Sequence, residues 1–130
     1  FFDTGDGVCI AFFELHNMGE RADFDTAVST AAGLPVWVNH IAFGATEERQ
    51  RAVRERLDAA GIEPLMDIDH GWCHSLYYLD PNNIMIEFCR DTPGIEADPA
   101  TAHELLTATS RPRPAAKVTL HEGASHAPTP

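Results

Sequence analysis

The feature that most constrains this chain is the tetrapeptide Asp80-Pro81-Asn82-Asn83, which separates two runs of strand-forming residues. A loop of this composition predicts a hairpin with a three-residue turn, whose last residue adopts a left-handed backbone conformation. Asn83 meets that demand, because asparagine tolerates a positive φ better than other non-glycine residues. In this register Tyr77 lies directly opposite Glu87, and opposite residues share one face of a sheet.

Alternation along the two strands of this hairpin divides their side chains between two faces. The face predicted to lie against a helix is the more apolar one, and it carries His74, Leu76, Tyr78, Ile86 and Phe88. The other face carries Cys73, Ser75, Tyr77, Leu79, Met85, Glu87 and Cys89. Because an unpaired buried charge is costly, Glu87 on this second face needs a cation or a hydrogen-bond donor.

The segments around the hairpin predict the order β-α-β-β-β over residues 36–90, and therefore an α+β fold class. An amphipathic helix is predicted between Thr46, which is a suitable N-cap, and Gly61, which is a suitable stop. The predicted strands are Val36–Phe43, Ile62–Ile68, Cys73–Leu79 and Ile84–Arg90.

The rest of the chain is assigned more coarsely. Gly5-Asp6-Gly7 is a turn signal between strand formers, and a short helix is predicted over Pro99–Thr107 with Asp98 as its N-cap. The assigned segments are the end of a hairpin in 1–16, a connector in 17–35, an extension with the short helix in 91–110 and a mobile tail in 111–130.

Composition excludes some function classes. The chain carries 20 carboxylates against 9 Lys and Arg, with a formal net charge of −11. Nucleic-acid binding is not expected, because phosphate contacts need clustered basic residues. No run approaches the ~20 apolar residues that a membrane span requires. The three cysteines are widely spaced and odd in number, which favours the reduced thiols of a cytoplasmic protein over a disulfide framework.

His40 raises the same question as Glu87, since it interrupts an otherwise apolar strand. If the two side chains lie on one side of the same sheet, they reach a single divalent ion. Histidine nitrogen and carboxylate oxygen are the usual ligands for Fe(II), Mn(II), Ni(II) or Zn(II) at a site with open positions. The other interpretation is a hydrogen-bonded core histidine beside a carboxylate at the rim of the sheet.

The order β-α-β-β-β, with His40 in its first strand and Glu87 in its last, resembles the vicinal oxygen chelate superfamily. This superfamily includes glyoxalase I, extradiol ring-cleaving dioxygenases and proteins of fosfomycin and bleomycin resistance. The resemblance covers residues 36–90. Its most specific part is the segment Ser75-Leu76-Tyr77-Tyr78-Leu79-Asp80-Pro81-Asn82-Asn83, which is similar to the family pattern Ser-aromatic-Tyr-x-Asp-Pro-x-Gly ending in Glu. Asn83 stands where the family usually has Gly.

The resemblance implies a cupped, mostly antiparallel sheet made of paired modules, with a divalent metal ion held by their first and last strands. It implies that His40 and Glu87 are ligands and that Tyr77 contacts the substrate or its metal-bound oxygen. Residues 1–16 look like the end of a preceding module, which places Glu14 at the matching ligand position. The rest of that module is then missing from this sequence. The resemblance also implies a homodimer and a small-molecule substrate.

Three functions follow from the resemblance. A glyoxalase-like lyase or isomerase is favoured, because it uses both last-strand carboxylates, with Glu14 as ligand or base. An Fe(II) extradiol dioxygenase would use His40, Glu87 and a histidine of the missing segment. A metal-free binding protein would use the same cup to sequester a small molecule. His70, in the turn before the third strand, is interpreted either as a surface residue or as an acid or base at the mouth of the cup.

Overall fold

A computed structural model describes residues 1–14, 16–17, 25–110 and 116–121 of the chain. These residues form a mixed α+β structure with three α-helices, a five-stranded mixed sheet and a separate two-stranded sheet. The strands are β1 (Phe2–Asp3), β2 (Cys9–Ile10), β3 (His40–Gly44), β4 (Met66–Asp69), β5 (Cys73–Leu79), β6 (Met85–Asp91) and β7 (Lys117–Leu120). The helices are α1 (Val28–Ala31), α2 (Glu47–Ala59) and α3 (Pro99–Thr107). The predicted α+β class is confirmed.

The order of strands across the larger sheet is β3-β6-β5-β4-β7. β3 pairs with β6 in parallel, and the other three pairs are antiparallel. The predicted succession β-α-β-β-β corresponds to β3-α2-β4-β5-β6. Its first and last strands are therefore neighbours in the sheet, even though the helix and two strands separate them in sequence.

The hairpin between β5 and β6 has the predicted register. Tyr77 is paired with Glu87, and Asn83 has a φ of 62°. The Asp80 carboxylate fixes the turn, because its Oδ1 accepts hydrogen bonds of 2.8 Å from the backbone N–H groups of Asn82 and Ile84. The sequence thus determined this loop locally, through an aspartate that bonds its own turn and an asparagine that accepts a positive φ.

Helix α2 packs on the face of the sheet that the sequence assigned to it. The Thr46 side chain caps the helix by accepting a hydrogen bond from a backbone N–H of the first turn, and the chain leaves the helix at Gly61, whose φ is 73°. Val53 forms a buried cluster with Leu76 and Tyr78. This cluster holds α2 against the sheet.

The predicted strand Val36–Phe43 is wrong in its first half. Val36–Val38 form a single turn of 3-10 helix, and β3 begins only at His40. The physical reason is the end of pairing on the neighbouring strand. His40 is paired with Met85, and the residues before Met85 belong to the hairpin loop, so no strand is available to pair with residues 36–38.

The predicted strand Ile62–Ile68 is also longer than the observed β4, which begins at Met66. Pro64 has no backbone N–H and cannot donate to a sheet ladder, which explains the late start. A further difference lies in the segment for which the sequence predicts a mobile tail, where β7 pairs antiparallel with β4. Residues 111–115 and 122–130 of that predicted tail lie outside the described residues.

The predicted turn near the beginning of the chain is confirmed. β1 and β2 pair antiparallel around Gly5-Asp6-Gly7, and the Thr4 backbone N–H donates to the Val8 carbonyl at 3.0 Å. The helix predicted over Pro99–Thr107 is present with those bounds, and Asp98 caps it by accepting from two backbone N–H groups.

Candidate metal centre

The two proposed ligands lie on neighbouring strands and face each other. His40 belongs to β3 and Glu87 to β6, and the register pairs Ala42 with Glu87. His40 Nε2 is 2.8 Å from Glu87 Oε2. The Glu87 residue is 7% exposed. The sequence-based hypothesis that the two side chains share one side of one sheet is therefore confirmed.

The other nitrogen of the His40 ring is held by the backbone. Nδ1 lies 3.0 Å from the Trp37 carbonyl oxygen, which is part of the turn of 3-10 helix before β3. A carbonyl oxygen only accepts hydrogen bonds, so Nδ1 carries the hydrogen. A backbone carbonyl on one ring nitrogen is the usual way in which proteins orient a metal-binding histidine.

This orientation has an electrostatic consequence at the opposite nitrogen. With its hydrogen on Nδ1, a neutral His40 presents a lone pair at Nε2. The atom that it faces, Glu87 Oε2, is also an acceptor. Two acceptors at hydrogen-bond distance repel each other unless a proton or a metal cation lies between them. The pair therefore shares either a proton or a metal cation.

Tyr77 satisfies the second oxygen of the same carboxylate. Its hydroxyl donates to Glu87 Oε1 at 3.1 Å. Burial raises the pKa of Tyr77 to about 12, so the phenol keeps its proton over the ordinary pH range and remains a donor. The predicted contact of Tyr77 with the site is consistent with this geometry, because the cross-strand pairing fixes its side chain beside Glu87.

His70 extends the cluster toward the mouth of this face. Its Nε2 lies 3.4 Å from the Tyr77 hydroxyl, and its ring is 6.1 Å from that of Trp72. His70 is half-buried, and its backbone N–H donates to the Cys73 carbonyl. The structure places His70 next to Tyr77, and its role as an acid or base stays a prediction.

Three fully buried side chains lie on the same face of the sheet as the cluster. They are Cys73, Ser75 and Met85. Burial raises the pKa of the Cys73 thiol to about 11, so that it stays neutral near pH 7. The polar atoms in mutual contact in the cluster are the His40 nitrogen and the oxygens of Glu87 and Tyr77, a donor set that suits Fe(II), Mn(II), Ni(II) or Zn(II).

Glu14, the third predicted ligand, lies away from the pair in the described structure. Its side chain is 84% exposed and its Oε1 is 3.1 Å from His16 Nε2. Within the part of the chain that the structure describes, no group of three or more His, Cys, Asp and Glu side chains is arranged to hold a metal ion. The structure brings together His40, Glu87 and Tyr77, and the role of Glu14 stays a prediction.

A small cavity adjoins His40 at the edge of the sheet. Its volume is about 210 Å³, which is below the ~300–1,000 Å³ of pockets for drug-sized ligands. The walls come from the start of α1, from β3 and from the hairpin loop, and they include Ser29, Asn39, Ile41 and Asn83. A mixed apolar and amide lining beside an imidazole suits a small, partly polar molecule.

The Trp37 carbonyl is a contributor to the site that sequence reasoning missed. No side-chain pattern signals it, since the contacting group belongs to the backbone and depends on the turn at residues 36–38. Searches against family models, curated proteins and solved structures find no match to this chain. None of the helices in the described ranges has the length and apolar character needed to cross a membrane.

Proposed function

We propose that His40 and Glu87 are two ligands of a divalent metal ion in an enzyme that acts on a small oxygenated substrate. The observation that carries this proposal is the contact of 2.8 Å between His40 Nε2 and Glu87 Oε2, made by a histidine whose other nitrogen is tied to a backbone carbonyl. The reaction class that we propose is a lyase or isomerase step of the vicinal oxygen chelate type.

The residues fit a metal ion by their chemistry and by their spacing. Two ligand atoms that each lie about 2.1 Å from one ion, at a right angle, are about 3 Å apart. The observed separation of 2.8 Å needs little adjustment. The second carboxylate oxygen already has a donor in Tyr77, so the charge of Glu87 is oriented, as ligating carboxylates usually are.

A divalent ion at this position would polarise a carbonyl or enolate oxygen of the substrate. The protein's own residues have three further tasks. The cavity of about 210 Å³ beside His40 suits a small substrate, although of the cluster only His40 lines it. Tyr77 orients the Glu87 carboxylate by donating to its Oε1. His70, in contact with the Tyr77 hydroxyl, offers a titratable imidazole from which a proton reaches the cluster.

The alternative enzyme is an Fe(II) extradiol dioxygenase. It is favoured by the position of Glu14, whose exposed carboxylate does not accompany the pair. Two histidines and one carboxylate form the open triad of non-haem Fe(II) oxygenases, and His40 and Glu87 supply two members of such a triad. With either reaction we propose a small-molecule substrate and a homodimer, as the family resemblance implies. We also propose a cytoplasmic location, which the three widely spaced cysteines favour.

A metal-free binding protein is the third candidate. In that case a protonated His40 forms an ion pair with Glu87, and the cavity beside it holds a small molecule without chemistry. This candidate and the metal site make opposite demands on the same two atoms, since a proton between Nε2 and Oε2 excludes a metal ion there. Metal analysis therefore separates the candidates directly.

The test is elemental analysis of the purified protein beside its His40→Ala and Glu87→Ala variants. We expect about one equivalent of a transition metal in the parent and a loss in both variants, since each removes one ligand. His103→Ala and Glu104→Gln are matched controls, because both residues are exposed on α3. A folded parent that takes up no metal, with all four variants unchanged, would overturn the metal site and favour the metal-free binding protein.

A further inference from the structure

A second cavity lies on the other face of the sheet, between α2 and strands β4, β5 and β6. Its volume is about 270 Å³. Its wall includes His74, Leu76 and Arg90. These residues alternate in sequence with residues of the face that carries Tyr77 and Glu87. The cavity is therefore separated from His40 and Glu87 by the thickness of the sheet, and it is independent of the function proposed above.

Arginine side chains dominate this cavity, which we call the basic cavity. Arg51 and Arg54 line it from α2, and Arg90 lines it from β6. The whole chain has only 9 Lys and Arg against 20 Asp and Glu. Three of those nine cations thus converge on one cavity, where two carboxylates, Glu47 and Asp67, are the opposing charges. The local balance is positive in a chain whose net charge is −11.

A buried glutamine positions one of these guanidinium groups. Gln50 is 6% exposed, and its Nε2 donates to the carbonyl oxygens of His74 and Phe88 at 2.8 and 2.7 Å. Its Oε1 accepts from Arg90 Nε at 2.9 Å. Both ends of the amide are therefore fixed, and the terminal nitrogens of Arg90 are directed by a buried side chain rather than by solvent.

The basic cavity retains unused donors. Arg90 has one carboxylate neighbour, Glu47, at the long distance of 3.8 Å. Arg54 donates from one terminal nitrogen to Asp67 at 3.1 Å, which leaves other N–H groups of its fork free for a ligand. Arg51 has no ion pair within 4.0 Å among the residues that the structure describes. His74 Nε2 lies 2.9 Å from Asp67 Oδ1 and donates to it, so Nδ1 of the neutral ring is an acceptor and is not one of these donors.

We propose that the basic cavity binds a small oxyanion, either inorganic phosphate or a compact molecule that carries a phosphate or carboxylate group. Guanidinium forks match the geometry of these groups and bind them with paired, charge-assisted hydrogen bonds. The cavity volume of about 270 Å³ suits a small ligand. An anion in the cavity would accept hydrogen bonds from Arg51, Arg54 and Arg90. Glu47 and Asp67 balance the positive charge of these arginines only in part.

The test is isothermal titration calorimetry of the full chain with inorganic phosphate and, separately, with citrate. Chloride is the balancing salt that keeps the ionic strength constant. We expect saturable binding of at least one of the two anions. The tighter one identifies a phosphate or a carboxylate as the preferred group. Arg51→Gln and Arg90→Gln should each weaken binding at least about tenfold, since each removes charge-assisted donors.

The control is Arg56→Gln, which removes the same charge from an exposed position of the same helix outside the cavity. We expect this variant to bind like the parent, and we expect His40→Ala to do so as well. Arg51 is exposed, so its variant should fold even if Arg90→Gln does not. Absence of saturable binding of both anions, or equal weakening by Arg51→Gln and Arg56→Gln, would overturn the proposal.

Discussion

Strands β5 and β6 present different chemistry to the two faces of one sheet. On the face toward α2, Leu76, Tyr78 and Phe88 pack against the helix in an apolar cluster. On the opposite face, Tyr77 and Glu87 form a buried polar pair. Consecutive residues of the same strand thus serve packing and chemistry in turn, because successive side chains of a strand point to opposite faces.

The comparison separates what stabilises the fold from what defines the site. The helix-covered face gains stability by removing apolar surface from water. The opposite face keeps the Glu87 carboxylate out of solvent, which is costly unless partners compensate for the lost hydration. The Glu87 carboxylate is held between His40 and Tyr77, and the proposal above assigns it a role in function rather than in packing.

The largest expected effect is on the helix-covered face. Leu76→Ala removes a side chain that is 3% exposed, and it should lower the free energy of unfolding by about 2–5 kcal/mol through lost burial and the cavity left behind. Urea denaturation at pH 7 measures it. Metal content per folded chain should stay unchanged, and a loss of metal with retained stability would reverse the roles assigned to the two faces.

Neighbouring tyrosines give the sharpest contrast between the faces. Tyr77→Phe deprives Glu87 of its donor and should cost about 1–3 kcal/mol in stability, with metal affinity about 10–100-fold lower. Tyr78→Phe is the matched control. The Tyr78 hydroxyl is buried without a partner among the described residues, so its removal should be neutral or slightly stabilising. Equal effects of the two variants would refute the contrast.

A smaller effect is expected at the rim of the helix-covered face. Arg54 and Asp67 form an ion pair of 3.1 Å, and both side chains are partly exposed. Such pairs contribute about 0–1 kcal/mol, so Arg54→Gln should change the free energy of unfolding by less than about 1 kcal/mol. Chemical denaturation at low and high salt checks this, and a loss as large as that of Leu76→Ala would contradict it.

The smallest expected effect is a loss of folding stability that is absent at neutral pH and occurs only at alkaline pH. Burial raises the pKa of Tyr77 to about 12, from an ordinary value near 10. Folding therefore favours the neutral phenol, and the corresponding stability is complete below pH ~10 and is lost as the pH rises to ~12. The chain has only two tyrosines, so absorbance at alkaline pH reports on Tyr77 and Tyr78 alone.

The expected result is that the folded protein ionises its tyrosines at higher pH than the chain unfolded in urea. Burial also raises the pKa of Tyr78. The stability of Tyr77→Phe should accordingly fall less steeply between pH ~10 and ~12 than that of the parent. Identical titration of the folded and unfolded chains would show that neither phenol is buried.

Much of this arrangement was accessible from the sequence because local rules determined it. The turn residues Asp80 and Asn83 fixed the hairpin register, and that register placed Tyr77 opposite Glu87. Caps at Thr46 and Asp98 fixed the starts of two helices. In each case a side chain bonds its own neighbouring backbone, so the necessary information lies within a few residues.

The parts of the fold and of the site that the sequence did not predict depend on contacts between distant segments. The turn at residues 36–38 exists because the neighbouring strand ends at Met85, and only this turn brings the Trp37 carbonyl to His40. β7 forms because the edge of β4 is available to it, which composition alone does not reveal. The position of His70 against Tyr77 likewise depends on how the turn before β5 folds over the sheet.

The most direct test of the central claim is X-ray absorption spectroscopy of the protein loaded with Zn(II) or Co(II), with His40→Ala measured under the same conditions. The account predicts a first shell of nitrogen and oxygen atoms without sulfur, and an imidazole scattering signal that falls when His40 is removed. A shell that contains sulfur from Cys73 or Cys89, or an imidazole signal that is unchanged in the variant, would contradict the assignment of His40 and Glu87 as partners on one ion.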